Sequence, residues 1–157
     1  MKINKLGLSI VESEAIIEKL NILLSNFQIH YQNLRGLHWN IRGKRFFDLH
    51  VKFEELYNDS QLKIDLLAER VLTLGGRPMH TFAEYLENNS LKIGKNISKD
   101  TEAIQLIIDG LTELLKIERV ILHLASENDD EGTNAMMSDF IKEQEKTIWM
   151  LHAWMEE

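Results

Sequence analysis

Apolar residues return at three- and four-residue steps in four long stretches of the chain, the interval at which side chains share one face of an α-helix. In the first stretch Ile16, Ile17, Leu20, Leu23, Leu24, Phe27, Tyr31 and Leu34 keep that interval, and Ser9 with Glu12 ahead of them spells a capping box. A helix over 9–39 is predicted. Residues 40–44, with Gly43 among them, read as a turn, after which Leu49, Phe53, Leu56, Ile64, Leu67 and Val71 define a second helix over 46–74. That helix should end at Gly75-Gly76-Arg77-Pro78, because glycine takes the left-handed cap and proline cannot extend a helix. Ile104, Ile107, Ile108, Leu111, Leu114, Leu115, Ile121 and Leu122 mark a third helix, and Met136, Met137, Phe140, Ile141, Ile148, Leu151 and Met155 a fourth.

The links between these stretches are unequal. Helices three and four are joined by a short acidic turn, 127–132, whereas helices two and three are separated by 79–98, which holds a short helical segment at 82–87 and then Asn88, Asn89, Ser90, Gly94 and Asn96. The pattern is all-α: a four-helix bundle with one long crossover connection. Pro78 is the one proline, so long helices run without its missing donor. A length of 157 residues suits a single domain, 1–157, able to bury its own core.

Charge and composition narrow the function classes. With no cysteine, disulfides and thiolate metal sites are excluded, leaving histidine and carboxylate as the strong metal ligands. The start lacks the basic flank and unbroken apolar run of a secretory signal, and no stretch approaches about 18 consecutive apolar residues. A cytoplasmic, non-membrane protein is expected. A net charge of −7 repels nucleic-acid phosphates and attracts cations, more so in an oligomer.

Two groups of residues carry candidate chemistry. Asp65 and Glu69 lie four apart on helix two, so both carboxylates leave from one face and can share a cation. At 100° per residue His50, Glu54, Gln61, Asp65 and Glu69 fall in one polar band along that helix. His38, at the end of helix one, can meet His50 across the turn. Spacing alone leaves open whether these groups bind metal or are caps, core groups and surface charge. His50 and Asp65, however, are separated by roughly 22 Å of helix, while metal–ligand bonds are about 2 Å long. If they share a metal, the helix must pair antiparallel with its copy across a two-fold axis. His30, His80, His123 and His152 have no such companions.

At this point the residues resemble a known family. Leu37-His38-Trp39-Asn40-Ile41-Arg42-Gly43, Phe46, Leu49-His50, Phe53-Glu54-Glu55, Asp65, Ala68-Glu69-Arg70 and Leu74-Gly75-Gly76-Arg77-Pro78 are similar in order and spacing to the signature of Dps proteins. Tyr85-Leu86 and Ile148-Trp149-Met150-Leu151 extend the resemblance over nearly the whole chain. It implies a ferritin-like bundle with a short helix in the crossover, assembled as a hollow dodecamer. It further implies a ferroxidase centre between two-fold-related subunits, His38 and His50 from one and Asp65 and Glu69 from the other. Glu54 matches a position that the family often fills with Asp, and Trp39 would lie beside the centre.

The implied activity is oxidation of Fe(II), with hydrogen peroxide preferred and dioxygen possible, followed by storage of a ferric mineral and protection against oxidative damage. Other divalent metals suit the same ligands. The resemblance puts the acidic turn near three-fold pores, with Asp129, Asp130 and Asp139 as candidate pore residues. A conventional ferritin needs Glu-x-x-His within the bundle, and no Glu here is followed three residues later by His. DNA compaction is the alternative function. It rests in relatives on lysine-rich termini, whereas this chain offers Lys2 and Lys5 at one end and Met155-Glu156-Glu157 at the other, so weak or absent DNA binding is expected.

Overall fold

A computed structural model describes residues 1–156 and leaves Glu157, the last of the acidic C-terminal residues, outside the described part. Its helices are α1 (Ile10–Asn40), α2 (Phe46–Thr73), α3 (Phe82–Glu87), α4 (Asp100–Glu127) and α5 (Glu131–Met155). The chain is all-helical, as the periodicity predicts. α1 packs on α2, α4 on α5, and the two hairpins meet through α1 and α4, with α3 lying against α1. Leu20, Leu23, Leu24, Phe27 and Leu34 of α1 face Phe53, Leu67 and Val71 of α2 and Ile104, Ile107, Leu114 and Ile121 of α4 in one buried core.

Helix ends follow local chemistry. Ser9 caps α1 by accepting from the Glu12 N–H, while the complete reciprocal box forms at Thr81 and Glu84, where the short α3 begins. At the end of α2 the Gly76 N–H donates to the Val71 carbonyl (2.9 Å) and the Gly75 N–H to that of Leu72 (3.0 Å), with Gly75 at φ +95°. This Schellman pattern is the stop expected at the glycine pair. α5 begins at Glu131, five positions before its first apolar marker, because Asp130 accepts from the Thr133 N–H and caps it. The acidic turn therefore shrinks to residues 128–130.

The crossover is strapped to α1 by three asparagines. Asn21 donates to the Arg77 carbonyl and accepts from the Met79 N–H; Asn26 does the same with Asn88 and Ser90, and Asn33 with Lys92 and Gly94. These bonds, with Leu91 and Ile97 buried in the core and Tyr85 packed against it, set the path that delivers the chain to α4.

One layer of the core is polar. His30 of α1, Lys63 of α2, Glu118 of α4 and Gln144 of α5 are all buried. Gln144 donates to Oε1 of Glu118, while Oε2 of Glu118 and the amide oxygen of Gln144 have no partner among the described residues. Burial, outweighing that hydrogen bond and the charges of Lys63 and Arg119, pushes the Glu118 carboxyl up to about 8. Burial, helped by the Lys63 charge, pulls His30 down to about 4. Between the ordinary carboxyl value and pH 8 the native chain thus holds a proton on Glu118 that the unfolded chain has released, so stability falls as pH rises through that window. His30 acts oppositely: the unfolded chain takes up a proton below its ordinary value of 6.5, and stability is lost as pH falls from there towards 4. Above pH 6.5 only the Glu118 contribution of the two remains. Glu118→Gln, which copies the protonated carboxyl, should remove it. Denaturant titration from pH 6.5 to 8 should show wild type losing about 2 kcal/mol relative to the variant; parallel profiles would mean that Glu118 is already ionised in the fold.

Candidate metal centre

The turn between α1 and α2 brings His38 and His50 together. His38 Nδ1 lies 2.6 Å from the backbone oxygen of His50, and His50 Nδ1 lies 2.8 Å from that of His38. A carbonyl only accepts, so each Nδ1 is the donor and, in the neutral ring, each Nε2 keeps its lone pair. The reciprocal pair thereby locks both imidazoles in the tautomer and orientation that a metal ligand requires. The rings stack at 3.8 Å between centroids and 10° between planes. Phe46 stacks on the far side of His50, and Tyr57 meets His38 edge-on.

Glu54 lies one turn beyond His50 and is exposed, and the Tyr57 hydroxyl donates to it at 3.3 Å. Burial and then the Glu54 carboxylate raise the Tyr57 phenol above its ordinary value, so Tyr57 stays a donor at neutral pH. Trp39, beside His38 in sequence, is exposed and carries the Arg35 guanidinium over its ring.

Asp65 and Glu69 are on the same unbroken 28-residue helix as His50, at roughly 22 Å and roughly 28 Å from it along the axis. Both are exposed, and among the described residues their carboxylates form no hydrogen bond or ion pair within the chain. Beside them along α2 the apolar side chains of Leu62, Leu66 and Leu72 are exposed. Beside Asp65 an open depression of about 580 Å³ is lined by Gln28, Tyr31, Gln61, Leu62 and Ile64. The fold thus gathers His38, His50 and Glu54 at one end of α2 and leaves Asp65 and Glu69 towards the other. Among the described residues no three His, Asp or Glu side chains converge to hold a metal.

The three pore candidates separate. Asp129, at φ +57°, and Asp139 are exposed. Asp130 is 2% exposed and accepts from Arg70 (2.6 Å), from the Thr133 N–H (3.0 Å) and from the Thr133 hydroxyl (2.6 Å). Its carboxylate is committed to the start of α5, so Asp129 and Asp139 are the two exposed members of the three.

Several features escaped the sequence reading. The mutual carbonyl bonds of the histidines, the flanking Phe46 and Tyr57, and the Arg70–Asp130 pair depend on side-chain direction across a turn or between helices. The polar layer did leave a signal: Lys63 follows Leu56 and Ser60 and precedes Leu67 in the spacing of the buried face, as Glu118 does after Leu111 and Leu114. A polar residue in core phase marks a buried polar site.

Residues 17–157 match the model of the ferritin-like domain. The chain is 40% identical over 148 residues to the DNA protection during starvation protein of Porphyromonas gingivalis, covering 94% of this chain and 93% of that one. The crystal structure of a Dps protein from Vibrio cholerae, described as a ferritin-like diiron-carboxylate protein, superposes with a TM-score of 0.97 at 51% identity, over 99% of this chain and 98% of that one. A Listeria innocua Dps variant with two histidines twelve positions apart replaced by glycine superposes with a TM-score of 0.87 at 28% identity, over 90% of this chain and 95% of that one.

Proposed function

The chain belongs to the Dps family of ferritin-like proteins, and from that premise we propose that it oxidises Fe(II) at sites shared between two subunits and stores the ferric product inside a closed assembly. Iron is here substrate and cargo. The observation that carries this reading is the locked histidine pair, with both Nε2 lone pairs free, formed between the end of α1 and the start of α2, while two carboxylates without a partner among the described residues lie further along α2, beyond its reach. The twelve-residue interval between His38 and His50 equals that of the two histidines replaced in the Listeria innocua variant.

In this reading α2 packs antiparallel on its copy, and its exposed Leu62, Leu66 and Leu72 supply the apolar contact. His38 and His50 then face the partner subunit's Asp65 and the partner subunit's Glu69. Each imidazole lone pair lies in its ring plane, and planes nearly parallel at stacking distance share no point within bonding reach of one ion. The two histidines therefore serve two neighbouring iron positions, with carboxylates balancing the charge. Two Fe(II) each give one electron; hydrogen peroxide takes both, with two protons, and leaves as two waters, so no hydroxyl radical is released. Dioxygen is the alternative oxidant. Glu54 sits one turn from His50 and adds a ligand or a water-mediated contact, and its Tyr57 donor orients it.

The wider reading has residues 1–157 acting as one domain, twelve copies enclosing the mineral, and exposed Asp129 and Asp139 concentrating iron at the pores. The protein works in the cytoplasm. Among the described residues no helix is long and apolar enough to cross a membrane. Duplex DNA is not the proposed target, since the net charge of −7 opposes it. The decisive assay loads Fe(II) anaerobically, adds peroxide and follows ferric absorbance. His38→Ala, Asp65→Ala and Glu69→Ala should each slow it on the order of a hundredfold; unchanged rates in all three would overturn the site.

A further inference from the structure

Ferritin-like di-iron proteins hold metal inside the bundle, on inward side chains contributed by all four helices. One layer of this chain also draws a buried polar side chain from each long helix, His30, Lys63, Glu118 and Gln144, yet the donor set does not fit a di-iron centre. One member is a cation, another an amide, and the required Glu-x-x-His pairs are absent. We infer that Lys63 is the resident cation of the bundle interior, its ammonium standing where a metal ion would stand and closing that interior to divalent metal.

The Lys63 side chain is 5% exposed, and Nζ bridges two helices, 2.5 Å from Oδ2 of Asp59 on α2 and 2.8 Å from Oε2 of Glu143 on α5. Burying an ammonium is costly unless it is paired, and here two carboxylates pair it as they would a divalent ion. A cavity of about 20 Å³, room for one water, adjoins it and is lined by His30, Ser60 and Gln144. The amide oxygen of Gln144, and Oε2 of the Glu118 to which Gln144 donates, are buried without a partner among the described residues. The layer thus sets an imidazole and two unspent acceptors near a single fixed positive charge, whose own carboxylate partners, Asp59 and Glu143, are more than half exposed. A neutral side chain at position 63 would leave donors without their cation.

The test compares assembled proteins that all carry His38→Ala and Asp65→Ala, so the proposed inter-subunit site is disabled in each and the outcome is independent of the function above. Lys63→Met removes the charge and Lys63→Arg keeps it. Calorimetry and the visible spectrum of added Co(II) count bound metal, and melting is followed with and without Co(II). The Lys63→Met protein should bind about one Co(II) per subunit more than its parent. Its lowered melting midpoint should rise by roughly 5–10 °C when Co(II) is about a hundredfold above its dissociation constant. The parent and Lys63→Arg should show neither effect. Equal binding in parent and Lys63→Met, or a folded Lys63→Met with no extra Co(II), would overturn the inference. If Lys63→Met is insoluble without metal, refolding in Co(II) decides: recovery supports the stand-in role, and no recovery counts against it.

Discussion

Subunits carrying His38→Ala with His50→Ala, co-expressed in equal amounts with subunits carrying Asp65→Ala with Glu69→Ala, should regain about a quarter of the wild-type ferroxidase rate, although neither parent turns iron over. The fraction follows from the geometry of α2. Random pairing makes half of the two-fold dimers mixed. In a mixed dimer one site combines the damaged halves and the other combines His38 and His50 of one subunit with the partner subunit's Asp65 and the partner subunit's Glu69, all intact. One site in two, in half of the dimers, is a quarter of the total. A site built within one chain predicts no recovery, because every chain is defective. The assay is the peroxide-driven ferric absorbance, normalised to assembled protein, and a dead mixture would rule out the shared site.

Asp130→Ala should be the most destabilising of the surface-turn substitutions, by about 3–5 kcal/mol. The carboxylate is buried, and Arg70 Nη2 reaches it at 2.6 Å while Arg70 Nε donates to the Thr133 hydroxyl at 2.9 Å. Removing it strands a largely buried guanidinium and also uncaps α5, a loss that by itself typically costs about 1 kcal/mol. The neighbouring Asp129→Ala, on an exposed side chain, should change stability by less than about 1 kcal/mol. Denaturation of both variants checks this. Equal midpoints would mean that the Arg70 pair contributes little. The comparison also separates the two aspartates by role, since iron uptake should respond to Asp129→Ala in a protein of normal stability.

The bundle was legible because its signal is periodic: Leu20, Leu23, Leu24 and Phe27 all prove buried, and the Gly75-Gly76 stop carries the expected left-handed φ. The start of α5 was read late, since Glu131 to Ala135 contain no large apolar residue and the helix there is held by the Asp130 cap. The histidine pair was legible as a pair from its position across a turn. Its mutual carbonyl bonds were not, because they depend on ring orientation. Asp130 looked like Asp129 and Asp139 in a string of acids, and only Arg70, 60 positions away in sequence, tells them apart. Lys63 lies off the acidic band of α2, which is where a core-facing charge must lie.

The asparagine strap between α1 and the crossover follows one rule: each amide bonds the carbonyl of one residue and the N–H of the residue two further on, at 77 and 79, 88 and 90, and 92 and 94. That is the pattern by which a peptide unit in a neighbouring β-strand pairs with its partner. α1 therefore lends the crossover three counterfeit strand contacts, and a segment that would otherwise offer free backbone edges to other chains has several of them occupied. In the many-copy assembly proposed above, that protection would guard against the wrong kind of association.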